Sequence, residues 1–233
     1  MGELTIRRPP QTRSRRKPKG SGHERRDDIL AAAKQLFLTE GYARVTTRAI
    51  AQAVGLSQTG LYIYFASKEE ILTAIGEATH MALTEAFERA VAGAPSPSEK
   101  LIRLLRAYIE YGLDHPADYQ LTFTVGPEAI APIAKDFSKP IDDQGAGARS
   151  FNRFSELIAE VAGPELLGGL SPLVVTQILW FLGHGAVSLL ISRPNFPWAD
   201  RETLVDGATA MVLNGLFAGR ANGRPIGGHR PQD

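Results

Sequence analysis

The sequence predicts an all-α chain, on three observations. Apolar residues recur three and four positions apart in one segment after another, the period of a helix face. Most of those segments open on a Ser, Thr or Asp in capping position and close on Gly or Pro. No alternating run of apolar and polar residues reads as a half-buried strand.

The first helix runs from about Glu24 to Thr39, with Ile29, Leu30, Ala33, Leu36 and Phe37 on one face, and Gly41 stops it. A short second helix takes Thr46 as its N-cap, buries Ile50, Ala53 and Val54, and ends at Gly55. After Leu56, Ser57 caps a third helix through Phe65. Ser67-Lys68-Glu69-Glu70 has the form of a capping box and opens a fourth helix through about Ala92. Ala94-Pro95-Ser96-Pro97 breaks the chain. From Ser98 to about Asp114, Leu101, Leu104, Leu105, Tyr108 and Ile109 share a face, which ends at His115-Pro116. A shorter helix follows Pro116. From about Ile141, helical period carries Phe151, Phe154, Leu157, Ile158 and Val161 up to Gly163-Pro164. Ser171-Pro172, a cap followed by proline in the first turn, starts a helix to Ser192, and Asp200 caps a last one ending near Gly219.

Composition narrows the classes. With 233 residues and 43% hydrophobic content, the chain can bury a sizeable core, so wholesale disorder is excluded. Cysteine is absent, which removes disulfides, thiolate metal sites and cysteine nucleophiles together. The net charge of +1 hides an asymmetry. Residues 1–26 hold nine Lys and Arg against Glu3 and Glu24, while the remainder carries 17 basic and 23 acidic side chains. A basic arm on a mildly acidic body is common in chains that touch nucleic acid. Residues 1–22 have almost no apolar content and read as a disordered arm, either a further phosphate-binding element or a solubilising tail. Residues 221–233 read as a flexible tail. The mostly apolar stretch Leu173–Ile191 is borderline in length against the roughly 20 residues a membrane span needs, and it contains Gln177 and His184. It reads as a core or interface helix, and the chain as soluble and cytoplasmic, with no membrane partner.

Two short helices joined by Gly55-Leu56-Ser57 form a helix-turn-helix when the first helix packs across both. On the third helix Leu61 and Phe65, four apart, face inward, leaving Gln58, Thr59, Tyr62 and Ile63 on another side. A polar and aromatic face on so short a helix, with Gly60 costing about 1 kcal/mol of propensity, serves stability poorly. It fits a face that enters a major groove and meets base edges.

Here a resemblance becomes specific. Ile29-Leu30, Ala32-Ala33, Leu36-Phe37, Gly41-Tyr42, Thr46-Thr47-Arg48, Ile50-Ala51, Ala53-Val54-Gly55-Leu56-Ser57, Leu61-Tyr62, Tyr64-Phe65 and Ser67-Lys68-Glu69 together resemble the TetR-type repressor family, nearly without gaps across residues 25–72. In that family the equivalent of 46–65 is the helix-turn-helix. The resemblance implies a head of three helices, a larger helical domain that binds an effector and dimerises, and a double-stranded DNA operator as partner. Carried over by position, Arg48, Gln58, Thr59 and Ile63 resemble base-facing residues, and Thr46, Tyr62, Tyr64 and Lys68 phosphate-contacting ones; Thr47 and Gly60 fall within the same motif. Many members have Gly before Thr or Ala where this chain has Thr59-Gly60, so no base preference transfers. The chemistry agrees: Arg48 has the fork that pairs with guanine, and the Tyr62 and Tyr64 hydroxyls suit phosphate oxygens. The expected domains are therefore 23–70 for DNA binding and 71–220 for effector binding and dimerisation.

Trp180-Phe181-Leu182-Gly183-His184-Gly185 resembles the Trp…His-Gly signature of one TetR C-terminal subfamily. The helices around it are apolar on more than one face: Val174, Val175, Ile178, Leu179 and Leu182, then Leu204, Val205, Met211, Val212, Leu216 and Phe217. A helix apolar all round must be covered on all sides, so these two are expected to pair with their copies in a homodimer. Tyr108, Tyr111, Phe123, Phe151, Phe154, Trp180 and His184 are candidates for an apolar pocket holding an uncharged or amphipathic small organic effector; a plain hydrophobic core with a satisfied histidine is the competing reading.

Enzyme readings find little support. Gly145-Ala146-Gly147 follows no strand and lacks a third glycine, and no Gly-x-Ser-x-Gly elbow exists. The five His show no metal-ligand spacing, so no metal and no cofactor are expected. The reading is a ligand-responsive DNA-binding regulator, a repressor by family habit. The alternative is a helical small-molecule binder or enzyme without DNA function.

Overall fold

The computed structural model describes residues 22–125, 145–161 and 170–218. The expected arm up to residue 21 and the expected tail lie outside these, as do the start of a helix at Ile141 and the side chains of Leu216 and Phe217; Gly22, expected in the arm, instead opens the first helix. Among the described residues all regular structure is helical: α1 (Gly22–Glu40), α2 (Thr47–Ala53), α3 (Gln58–Tyr62), α4 (Lys68–Val91), α5 (Pro97–Asp114), α6 (Pro116–Phe123), α7 (Ala146–Val161), α8 (Pro172–Ser192) and α9 (Arg201–Ala218). Two units separate between Ile71 and Leu72, inside α4.

In the first unit α1 contributes Ile29, Ala33 and Phe37, every fourth residue, to a core completed by Val45, Ile50, Ala51, Leu61, Phe65 and Ile71. The caps act as their residue types require. Thr46 Oγ1 accepts from Ala49 N–H at 3.1 Å and Ser57 Oγ from Gly60 N–H at 3.0 Å. Gly55 takes φ +68°, a left-handed turn that lets Leu56 N–H reach back to Ala51 O at 2.8 Å. Arg25 closes the same corner by donating to Val54 O at 3.4 Å, and the Arg26 guanidinium lies 4.8 Å over the Phe65 ring.

Two expectations need correction here. Ala53 is exposed, and Ala51 takes its place in the core beside Ile50. At about 100° per residue, Ile50, Ala51 and Val54 span one narrow arc and Ala53 lies well outside it. The third helix also stops at Tyr62 rather than Phe65, with Ile63 as its C-cap. The chain then tightens, Tyr64 N–H bonding to Leu61 O at 2.9 Å, and this turn swings Phe65 into the core.

The second unit is built round α5, which packs on α6, α7, α8 and α9. Its face of Leu101, Leu104, Leu105, Tyr108, Ile109 and Gly112 is buried as the spacing requires. Its start differs from expectation: Ser96 is the N-cap, accepting from Glu99 N–H at 3.1 Å, and Pro97 lies in the first turn. The Ser96-Pro97 pair is a start signal like Ser171-Pro172, obscured by the preceding Ala94-Pro95. Helix α7 opens at Ala146, directly after Gly145, whose φ of +86° lies outside the right-handed helical range. Asp200 caps α9 through Thr203 N–H at 2.9 Å.

Helix α8 has the length and composition of a membrane span, yet it packs on α5 and α7 and buries Val175, Thr176, Leu179, Gly183 and Val187. Two glycines allow α5 and α8 to meet. A Cβ on Gly112 would lie 2.6 Å from Val187 Cγ1, and one on Gly183 2.7 Å from Tyr108 Cδ1. Alanine at position 112 gains about 1 kcal/mol of helix propensity, but overpacking against buried Val187 and Tyr119 costs about 1–3 kcal/mol. Gly112→Ala is therefore expected to lower the thermal midpoint followed by far-ultraviolet circular dichroism; an unchanged or higher midpoint would contradict the close contact.

Candidate nucleic-acid interface and aromatic cluster

The inward side of α3 is carried by Leu61 and, past the helix end, by Phe65, both buried. Packing against the first unit's core locks the short helix from behind. Its other side faces solvent: Gln58 and Thr59 are exposed, Tyr62 is 46% exposed and Ile63 is 79% exposed. Arg48, one residue into α2 from Thr47, is exposed in the same unit.

Hydrogen bonds tie α2 to this face. Gln58 Nε2 donates to Thr47 Oγ1 at 3.2 Å and to Tyr62 Oη at 3.0 Å, and the two hydroxyl oxygens lie 3.4 Å apart. The bonds from Thr47 and then Gln58 hold the Tyr62 phenol below its ordinary range, because donors pointed at the oxygen favour its charged form.

The remaining candidates occupy different positions. The Thr46 hydroxyl caps α2. Gly60 faces the turn: a Cβ there would lie 3.2 Å from Ser57 Oγ, so the residue supplies room for the cap rather than an outward side chain. Tyr64 is half-buried. Lys68 donates from Nζ to Tyr42 O at 2.8 Å and lies 4.2 Å above the Tyr42 ring, while Tyr42 Oη donates to Glu69 Oε1 at 3.1 Å. Tyr42 as the seat of Lys68 is not visible in the sequence, since 26 residues separate the two.

The second unit brings together Tyr108, Phe123, Trp180 and His184. Tyr119, which the sequence reading missed, is their hub. Its Oη lies 2.6 Å from His184 Nδ1 and 3.2 Å from His184 O, and Tyr108 Oη lies 3.4 Å from the same nitrogen. Phe123 meets His184 edge-on at 5.5 Å between centroids, Tyr119 stands 4.8 Å from Phe123, and Phe151 reaches the group through Trp180 at 5.6 Å. Phe154 instead packs into the core against Phe87 at 4.9 Å. Tyr111 turns away to donate to Thr79 O at 3.2 Å. Tyr119 and Phe123 are four apart on α6, a pairing legible once Pro116 is read as a helix start.

Burial sets the protonation here. It pushes the Tyr108 and Tyr111 phenols up to about 12, and lowers the His184 imidazole from its ordinary value. The cluster is therefore uncharged near neutrality, a neutral imidazole among aromatic rings. Among the described residues no group of three His, Asp or Glu is placed to hold a metal ion.

A three-helix head that presents the exposed side of a short helix next to the N-terminus of its partner is a helix-turn-helix DNA-binding unit. Comparison with known proteins gives the lineage. The family described as bacterial regulatory proteins of the tetR family matches residues 29–75, and a tetracyclin repressor-like C-terminal domain matches residues 101–212. The chain is 30% identical over 128 residues to the helix-turn-helix transcriptional regulator EthR of Mycolicibacterium smegmatis, across 54% of this chain and 57% of that protein. It is 27% identical over 201 residues to an uncharacterised helix-turn-helix transcriptional regulator of Mycobacterium tuberculosis, across 85% of this chain and 91% of the relative. A tetR-family regulatory protein from Rhodococcus RHA1 has a similar fold, with a TM-score of 0.60 at 21% identity over 83% of this chain and 97% of its own. The chain belongs to the TetR family and is a DNA-binding transcriptional regulator.

Two outcomes follow. Leu61→Ala is expected to cost about 2–5 kcal/mol of stability and Ile63→Ala less than about 0.5 kcal/mol, measured by chemical denaturation; equal costs would mean that the two sides of α3 are misassigned. His184 binds its proton less readily folded than unfolded, so stability is whole above about pH 6.5 and declines as pH falls below that. His184→Gln should flatten part of that decline in denaturation midpoints compared across pH, and an unaltered profile would show that the imidazole does not carry it.

Proposed function

We propose that the chain is a ligand-responsive repressor that binds a palindromic operator as a homodimer. The observation that carries this reading is the outward face of Arg48, Gln58, Thr59, Tyr62 and Ile63, set on a helix whose other side is buried. Arg48 and Gln58 are side chains that read base edges, and Ile63 offers an apolar tip suited to a thymine methyl. Tyr62, Tyr64 and Lys68 suit phosphate oxygens, Lys68 by exchanging its bond to Tyr42 O.

Dimerisation is supported by the second unit. Helices α8 and α9 leave Leu173, Val174, Ile178, Leu182 and Leu189 exposed, with Phe181 at 71% and Met211 at 77%. Large apolar side chains left exposed in number along α8 mark an interface, and a second copy of the same surface satisfies it. Two α3 helices then enter successive major grooves about 34–36 Å apart.

The cluster of Tyr108, Tyr119, Phe123, Trp180 and His184 supports a small organic effector, uncharged or amphipathic, oriented by the imidazole and phenols. Because the cluster is neutral, a strongly charged effector finds no counter-charge in it. The effector acts by binding more tightly to a state of the dimer that holds DNA poorly, which lowers operator affinity by the coupling free energy.

Mobility shifts of genomic fragments at two salt concentrations test the reading. Sequence-specific binding with a steep salt slope is expected, and Arg48→Ala should weaken it by about 5- to 150-fold. Phe181→Asp should shift the free protein toward monomer in sedimentation and reduce binding with it. Binding indifferent to Arg48→Ala would favour a helical small-molecule binder without DNA function. A footprint insensitive to every uncharged organic compound in a screen would remove the effector and leave the repressor.

A further inference from the structure

Glutamine on a recognition helix commonly reads adenine with both ends of its amide, accepting from N6 and donating to N7. The donor end of Gln58 is already committed. Its Nε2 carries two hydrogens, and it makes two bonds, to Thr47 Oγ1 at 3.2 Å and to Tyr62 Oη at 3.0 Å. All three side chains sit on the solvent side of the head, so this bonding is set before any DNA arrives.

The reversed amide, with Oε1 turned inward, would draw on the hydroxyl hydrogens of both Thr47 and Tyr62. Neither hydroxyl would then have a hydrogen left for a phosphate oxygen, which only accepts. With Nε2 inward each hydroxyl accepts from Gln58 and keeps its own hydrogen. The two hydroxyls lie 3.4 Å apart, so at most one hydrogen is spent between them and at least one points off the protein. A phosphate oxygen that takes this hydrogen holds the hydroxyl lone pairs toward Nε2 and tightens the arrangement.

We infer that Thr47 and Tyr62 convert Gln58 into a single-acceptor reader, whose Oε1 takes a hydrogen bond from the exocyclic amino group of adenine or cytosine and ignores adenine N7. Thr47 and Tyr62 are positioning residues for this contact. The inference rests on the DNA-facing reading of α3. It adds a coupling that independent contacts lack: removing the Tyr62 hydroxyl loosens base choice at the Gln58 position, whereas loss of an isolated phosphate contact weakens all sequences alike.

The test uses the full chain and a randomised duplex library. The base pair whose preference disappears in Gln58→Ala is located first, and adenine or cytosine is expected there. Replacing that base by its analogue without the amino group should weaken binding about fivefold, and 7-deazaadenine in place of adenine should change it by less than about twofold. In the Thr47→Val, Tyr62→Phe double variant, checked for a wild-type circular dichroism spectrum, the amide is released. Guanine or thymine should then be tolerated at that position, and 7-deazaadenine should weaken binding wherever adenine is retained. The inference is overturned by a wild-type preference for guanine or thymine, by wild-type sensitivity to 7-deazaadenine, by a double variant with the wild-type base profile, or by a Gln58→Ala that relaxes no position. Failure to select any sequence would instead remove the DNA-facing reading on which it stands.

Discussion

The burial of Leu61 and Phe65 behind α3 is the constraint on which the proposed DNA-facing side of that helix depends. A five-residue helix has no stability of its own, since forming even one turn fixes several dihedrals for a single hydrogen bond. Tertiary packing supplies what local propensity cannot. The Ser57 cap, the left-handed Gly55 and the tightened turn after Tyr62 all bring those two apolar side chains to one core. Once they are seated, the outward direction of Gln58, Thr59, Tyr62 and Ile63 follows from helix geometry alone.

The second unit solves a different problem, holding polar atoms inside an apolar bundle. Its helices α5 and α8 approach closely because Gly112 and Gly183 carry no Cβ. That approach brings His184 beside Tyr108 and Tyr119, whose hydroxyls give the imidazole partners in place of water. The result is polar definition without net charge, on surroundings of aromatic rings.

Much of this was legible in the chain. Helical period and caps located the helices, since Thr46, Ser57, Ser171 and Asp200 each act locally and each caps as its residue type implies. The three-helix head, with Leu61 and Phe65 inward, was legible for the same reason. Misreadings arose where a local signal was doubled or a face was narrow. Pro95 and Pro97 together looked like a break, although Ser96-Pro97 is a start. Ala53 looked buried because its neighbours are apolar, but its angle about α2 decides otherwise. What sequence could not give were long-range partners: Lys68 on Tyr42, and His184 on Tyr119, 65 residues away. Such pairs are set by how separate segments pack together, which residue spacing along one helix does not encode.

Ile63 has a thermodynamic consequence of its own. An isoleucine left 79% exposed at the end of α3 is hydrated in the free protein, and under the proposed DNA-facing reading it would lose that hydration against a base methyl. Such a contact would displace no counterions, so added salt would leave it in place while phosphate contacts weaken. It would instead give complex formation a negative heat-capacity change, so that the enthalpy of association would grow more favourable on warming.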